Sequence, residues 1–153
     1  MNARLEEIKQ KLGLKALDHV GIAVDDVEKS AEAFKAFWPS DPEMVDFSER
    51  GMQMAVFGVS GVRLELIQGD EGTPINKYVA NKGGGLHHLA FRVEDVVVEA
   101  AKARELGIRT LTEAPQAGIH DTRVMFLHPK DTGGVLIELV QSTHESDTKA
   151  EGE

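Results

Sequence analysis

An α+β fold made of two tandem βαβββ modules is predicted by three observations. First, the chain repeats itself: LDHVGIAVDDV at residues 17–27 returns as LHHLAFRVEDV at residues 86–96, and VRLELIQ at residues 62–68 returns as VLIELVQ at residues 135–141. Second, strand-like apolar runs and helix-like runs alternate in the same order in both halves. Third, each copy carries one histidine and one glutamate at matched places, His19 with His88 and Glu65 with Glu138. Modules at residues 15–72 and 85–142 would each expose one face of a four-stranded sheet, and pairing the two mixed sheets would close a cleft within a single domain spanning 1–153.

The elements follow in order. Leu5, Ile8 and Leu12 stand at helical spacing with Gly13 behind them, which predicts a helix over 2–12. Residues 17–24 form an apolar run with little charge, read as a buried strand, and Asp25 or Asp26 then caps a helix reaching Phe37, before Trp38-Pro39. Strands are predicted at 44–47, 52–59 and 62–68, with Ser60-Gly61 as the hairpin turn between the last two. Pro74 opens a polar helix to about residue 81, and the run 82–85 is a flexible linker. The second module repeats the order with a strand at 86–93, a helix over 94–106 ended by Gly107, and strands at 108–111, 123–127 and 134–141. The tail 143–153 lacks the apolar residues needed to repay its ordering entropy and is expected to be disordered.

Composition narrows the function classes. The chain has 153 residues, 41% of them hydrophobic, which suits one domain with a sizeable core. Its longest apolar runs are far shorter than the roughly 18–20 residues that span a bilayer, so no membrane partner is expected, and the mixed charges of Glu6, Glu7, Lys9 and Lys11 do not resemble a signal sequence. The expected location is the cytoplasm. A formal net charge of −9 argues against a nucleic-acid partner, although a local cluster such as Lys77, Lys82 and Lys130 could still receive phosphates. With no cysteine, any metal must rest on nitrogen and oxygen ligands.

Strand alternation puts His19 on one face with Leu17, Gly21 and Ala23, while Val20, Ile22 and Val24 turn to the face where the helix packs. Glu65 shares its face with Arg63 and Ile67, and in so apolar a strand its carboxylate needs a partner. A single histidine or glutamate in such a strand is ordinarily a satisfied core residue or half of an ion pair. The recurrence of both at matched places raises a metal site above two independent ion pairs. His87, His120, His128 and His144 are read as lacking an internal counterpart and are expected to serve packing or surface roles. Two imidazoles and two carboxylates suit cobalt, manganese, nickel, zinc or ferrous iron more than calcium and leave positions open on an octahedral ion; the expected cofactor is a divalent ion, Co2+ first, with Mn2+, Ni2+, Zn2+ or Mg2+ as alternatives.

Paired modules with ligands on equivalent strands resemble the vicinal oxygen chelate superfamily, which also has glyoxalases, bleomycin resistance proteins and dioxygenases among its members. Within it, LDHVGIAV, GLHHLAFRV and FLHPKDTGGVLIELVQ resemble the methylmalonyl-CoA epimerase family. The resemblance implies an isomerase that interconverts (2R)- and (2S)-methylmalonyl-CoA by removing and returning the C2 proton through a metal-stabilised enediolate. It places the metal ligands on His19, Glu65, His88 and Glu138, gives Glu138 an acid–base role as well, and implies a homodimer acting on an acyl-CoA. A second acid–base glutamate of some relatives corresponds to Met54 here, a departure from the pattern; Glu49 and Glu113 are substitutes by residue type only. Lys130, in the loop HPKDTGG, is the candidate contact for the substrate carboxylate or a CoA phosphate. Alternatives from the same scaffold are a glyoxalase I-type isomerase and a metal-free small-molecule binding protein.

Overall fold

The computed structural model describes residues 11–143, with the side chain of Val59 excepted. The described chain divides into two compact units, one comprising 18–89 and the other comprising the residues up to 17 together with those from 90 onward.

In the unit 18–89, β1 (Ala16–Ala23) leads into α1 (Val27–Phe34), followed by β2 (Glu43–Phe47), β3 (Met52–Val59), β4 (Val62–Gly69) and α2 (Pro74–Lys82). The strands lie in the order β2-β3-β4-β1, with β1 parallel to β4 and the other pairs antiparallel. The β3–β4 hairpin closes through Ser60 and Gly61, both at positive φ (54° and 81°), the geometry whose twist suits a two-residue loop. One face of this sheet carries Ala55, Phe57 and Leu66, all fully buried, against Val27 and Ala31 of α1, with Ile22 and Leu64 alongside. Burying side chains such as Phe57 and Leu66 contributes about 1.5–3 kcal/mol each. Because successive strand residues alternate, packing that face on α1 leaves His19 and Glu65 on the other.

The other unit holds the end of β5 (Gly85–Arg92), α3 (Val96–Glu105), β6 (Gln116–Ala117), β7 (Thr122–Leu127) and β8 (Ile137–Ser142). β7 lies between β6 and β8, antiparallel to both. Val96, Ala100 and Ala103 of α3 pack on Met125, Leu127 and Leu139. Glu99, on the same helix and buried, accepts a hydrogen bond from the Gly13 amide at 2.7 Å and so ties the N-terminal segment to this core, where Leu12 also packs. No helix among the described residues is long and apolar enough to cross a membrane.

The repeat has a structural meaning beyond the strands. Asp26 caps α1 through the Lys29 amide, and Asp95 caps α3 through the amides of Val97 and Val98. The glutamine that ends each repeated strand motif supplies a further cap: Gln68 accepts from the Val27 amide at 2.9 Å, and Gln141 from the Val96 amide at 3.0 Å. Each module thereby locks the start of its helix to its last strand, satisfying amides that a helix's first turn leaves over.

Several boundaries differ from the sequence expectation. The helix expected over 2–12 lies outside the described residues except for Lys11 and Leu12, which are not helical. The first-module helix stops at Phe34, three residues short of Phe37, because Ala36 and Phe37 bond back by the tighter three-residue step. Residues 108–111 contribute only a bridge from Thr110 to Leu127, made by the Leu111 amide donating to Phe126 and the His128 amide donating to Arg109, while the Arg109 amide is taken by Asp131. The last strand starts at Ile137 instead of Gly134, because Gly133 and Gly134 hold positive φ and Thr132 donates to the Val135 carbonyl. β6 was not expected; two residues carry no periodic signal. The expected disordered tail lies outside the described residues apart from Thr143.

The capping role makes a direct prediction. Gln68→Ala and Gln141→Ala each cost about 1 kcal/mol, and the two losses add in the double variant because the sites share no partner. Urea unfolding midpoints check this.

Candidate functional site

Three of the sequence-predicted ligands lie in the unit 18–89, all nearly removed from solvent: His19 on β1 is 5% exposed, Glu65 on β4 2%, and His88 on β5 6%. The Nε2 atoms of His19 and His88 face each other at 3.1 Å. The rings meet edge to face, with centroids 5.2 Å apart and planes at 87°.

The Nδ1 side of His19 is occupied differently. A carboxylate oxygen of Asp18 lies 2.7 Å from Nδ1, and the same oxygen accepts from Arg63 at 2.8 Å. Arg63 stands beside His19 in the parallel β1–β4 register, which is why its guanidinium reaches this carboxylate. Glu65 also approaches Nδ1 of His19, at 3.2 Å, and its carboxylate lies 3.6 Å from the Arg63 Nε. Asp18, His19 and Glu65 thus form one buried cluster of possible ligands, with Arg63 offsetting part of its negative charge.

His88 is held on its far side as well. Its Nδ1 lies 2.9 Å from Nδ1 of His87, with the two ring planes at 86°. The ring sits where a side chain on Gly21 would be: a Cβ there would fall 2.1 Å from the His88 Cε1 and 2.6 Å from Nε2. Gly21 is the register partner of Glu65, so an absent side chain beside the carboxylate admits the second imidazole.

These residues fit a divalent cation on two counts. The donor set is nitrogen and oxygen, all buried. With bonds of about 2.1 Å at right angles, two ligand atoms on one ion lie about 3.0 Å apart, which matches the Nε2 pair.

Glu138 and Lys130 belong to the other unit. Glu138 lies on β8 opposite Phe126 and is 6% exposed, a buried carboxylate at the place that repeats Glu65. Lys130 is exposed on a short 3-10 turn, Pro129–Asp131, where its amide donates to Nδ1 of His128 at 3.2 Å. This turn is anchored from outside. Asp131 receives the Arg109 guanidinium at 2.8 and 3.0 Å and the Arg109 amide at 3.0 Å, bonds that hold its carboxyl well below the usual carboxylate range. Met54 is 4% exposed and opposes Ile67, so the third strand presents a buried apolar group at that position, and Glu49 and Glu113 are both exposed.

Asp18, His87 and Gly21 were not singled out as functional in the sequence. The repeat held the signal for two of them: the displacement that pairs His19 with His88 also pairs Asp18 with His87, so each histidine is preceded by a side chain able to meet its Nδ1.

The chain belongs to the Glyoxalase/Bleomycin resistance protein/Dioxygenase superfamily, whose profile matches residues 18–126. Within that superfamily it sides with the methylmalonyl-CoA epimerases. It is 36% identical over 129 residues to the mitochondrial methylmalonyl-CoA epimerase of Homo sapiens, a match covering 82% of this chain and 73% of the relative. It is 34% identical over 131 residues to the ethylmalonyl-CoA/methylmalonyl-CoA epimerase of Cereibacter sphaeroides, covering 82% of this chain and 96% of that one. The solved structure of a Streptomyces coelicolor methylmalonyl-CoA epimerase variant, in complex with 2-nitronate-propionyl-CoA, superposes with a TM-score of 0.80 at 34% identity, covering 86% of this chain and 100% of that chain. The α+β vicinal oxygen chelate fold expected from the repeat is therefore the fold of this chain.

Two predictions follow from the geometry. Gly21→Ala expels the His88 ring from its seat and destabilises the protein by about 1–3 kcal/mol, the usual cost of overpacking; thermal unfolding measures it. Asp131→Asn frees the loop that carries Lys130, seen as faster amide exchange at Lys130. In the wild type the Arg109–Asp131 contribution is complete above the ordinary carboxylate pKa of about 3.9 and is lost progressively as the pH falls from there through the depressed folded-state value.

Proposed function

We propose that the chain epimerises methylmalonyl-CoA at C2, interconverting the 2R and 2S thioesters. The observation that carries the reading is the pair of buried imidazole Nε2 atoms 3.1 Å apart, in a chain one-third identical to methylmalonyl-CoA epimerases over most of its length. Glu138, the buried carboxylate that repeats Glu65, joins His19, Glu65 and His88 as the fourth ligand in this proposal. A divalent cation held by these four, with Co2+ the leading candidate, would supply Lewis-acid stabilisation worth several kcal/mol to negative charge developing on the substrate's oxygens.

The protein's own part is proton transfer and positioning. The C2 hydrogen of the substrate lies between a thioester carbonyl and a carboxylate, so its loss leaves a planar carbon whose charge spreads onto oxygen. In the proposed role the Glu138 carboxylate takes the proton on one face or returns it there, and burial keeps bulk water from competing. Inversion requires delivery on the opposite face. Met54 can carry no proton, so that delivery falls to a group other than the third-strand glutamate of some relatives. Lys130, on a turn fixed by Arg109 and Asp131, pairs in this reading with the substrate carboxylate or a CoA phosphate. The proposed active form is a homodimer, supported by Phe37 and Leu86, apolar side chains 75% and 71% exposed that a second copy would cover.

In heavy water the enzyme is expected to introduce deuterium at C2 of methylmalonyl-CoA, read by mass spectrometry across a panel of divalent ions. Glu138→Gln should lower the exchange rate by about 10²–10⁴-fold, the usual worth of a positioned general base. No exchange with any ion, alongside turnover of a glutathione hemithioacetal, would replace this reading with the glyoxalase one.

A further inference from the structure

We propose that His87 is a positioning residue whose Nδ1 accepts the Nδ1 proton of His88, so that His88 offers the lone pair of Nε2 to a divalent cation as Asp18 makes His19 do. The proposal rests on the metal reading given above. In the first copy the residue before the ligand histidine puts a carboxylate oxygen 2.7 Å from Nδ1; in the second copy the residue before it puts a ring nitrogen 2.9 Å from Nδ1. A carboxylate can only accept, so Asp18 keeps a proton on Nδ1 of His19, and the neutral ring is then bare at Nε2. An imidazole nitrogen can accept or donate. The second copy therefore works like the first only when His87 carries its own proton on Nε2 and accepts with Nδ1.

The surroundings of His87 favour a fixed ring. Tyr78 of α2 meets it edge-on, with centroids 5.0 Å apart and planes at 89°, while the Tyr78 hydroxyl donates to the carbonyl of Leu86, the residue before His87, at 2.5 Å. Lys82 lies over the other part of this assembly, its Nζ 5.7 Å from the Tyr78 ring centre. The helix between the modules thus braces the residue that orients a ligand. With both anchors accepting, two lone pairs face each other across 3.1 Å, an arrangement that repels unless a positive charge stands between them.

The two anchors are not equivalent. A carboxylate makes its histidine a more basic ligand than a neutral imidazole does, so His88 is the weaker donor and an aspartate in place of His87 would strengthen it. His87→Phe keeps a planar ring and removes the acceptor. His87→Asn keeps an acceptor near the place of Nδ1, and His87→Asp copies the first module.

The experiment is calorimetric titration of Co2+ into the metal-free full-length protein and its three variants, with circular dichroism to confirm folding. His87→Phe is expected to bind about 10- to 100-fold more weakly. His87→Asn should retain the wild-type affinity and His87→Asp should match or exceed it. Equal affinity in folded His87→Phe would overturn the proposal while leaving the metal reading intact, and absence of Co2+ binding by the wild type would overturn both. Nitrogen-15 long-range correlation spectra of the Zn2+-loaded wild type decide the matter even if the phenylalanine variant fails to fold. They should show the His88 proton on Nδ1; its placement on Nε2 would overturn the proposal.

Discussion

Two imidazole nitrogens pressed to 3.1 Å inside a buried cluster are the constraint around which the rest of the site is arranged. A nitrogen lone pair cannot face another at that distance without a proton or a cation to share. Gly21 gives up its side chain to seat one ring, Asp18 and Arg63 hold the other, and Glu65 brings a second carboxylate against the same edge of His19. Each concession would be costly in an ordinary strand core. Burying Asp18, His19, Glu65 and His88 together makes sense only where charges offset one another.

Duplication explains how such a cluster is assembled from ordinary parts. What the two modules share is largely hydrogen-bond positions. Asp26 and Asp95 cap the helices, Gln68 and Gln141 tie the helices to the last strands, and Asp18 and His87 meet the Nδ1 atoms of the two histidines. Core residues changed more freely: Leu66 of the first module answers to Leu139 of the second, whereas Phe57 and Leu127, opposite the matched Leu64 and Ile137, fill equivalent places with different shapes. Apolar packing accepts such exchanges when volume is roughly kept, but a hydrogen bond to a particular nitrogen does not.

Much of this was legible in the chain. The strand at 52–59 and the helix opening at Pro74 fall where alternation and the proline put them, because each is governed by its own residues. The histidine–glutamate pairs stood out for the same reason, being polar interruptions in apolar strands. Less could be read where an outcome depends on a partner distant in sequence. Residues 108–111 have strand-like composition, yet the Asp131 carboxylate takes the Arg109 amide and a single bridge is all that forms. The 3.2 Å approach of the Glu65 carboxylate to Nδ1 of His19 is encoded by no residue spacing, since side-chain torsions decide it. Gly21 shares a strand face with His19 by alternation, yet the space it leaves is taken by His88, from β5 far along the chain.

In the proposed site the two histidines present Nε2 to one cation while their Nδ1 atoms are held from behind. Anomalous diffraction at the cobalt edge, from crystals grown with Co2+, checks this arrangement. A single peak is expected about 2.1 Å from both Nε2 atoms, with Asp18 and His87 still on the Nδ1 sides. A cobalt ion bound through Nδ1, or no ion at the pair in crystals that hold cobalt elsewhere, would contradict it.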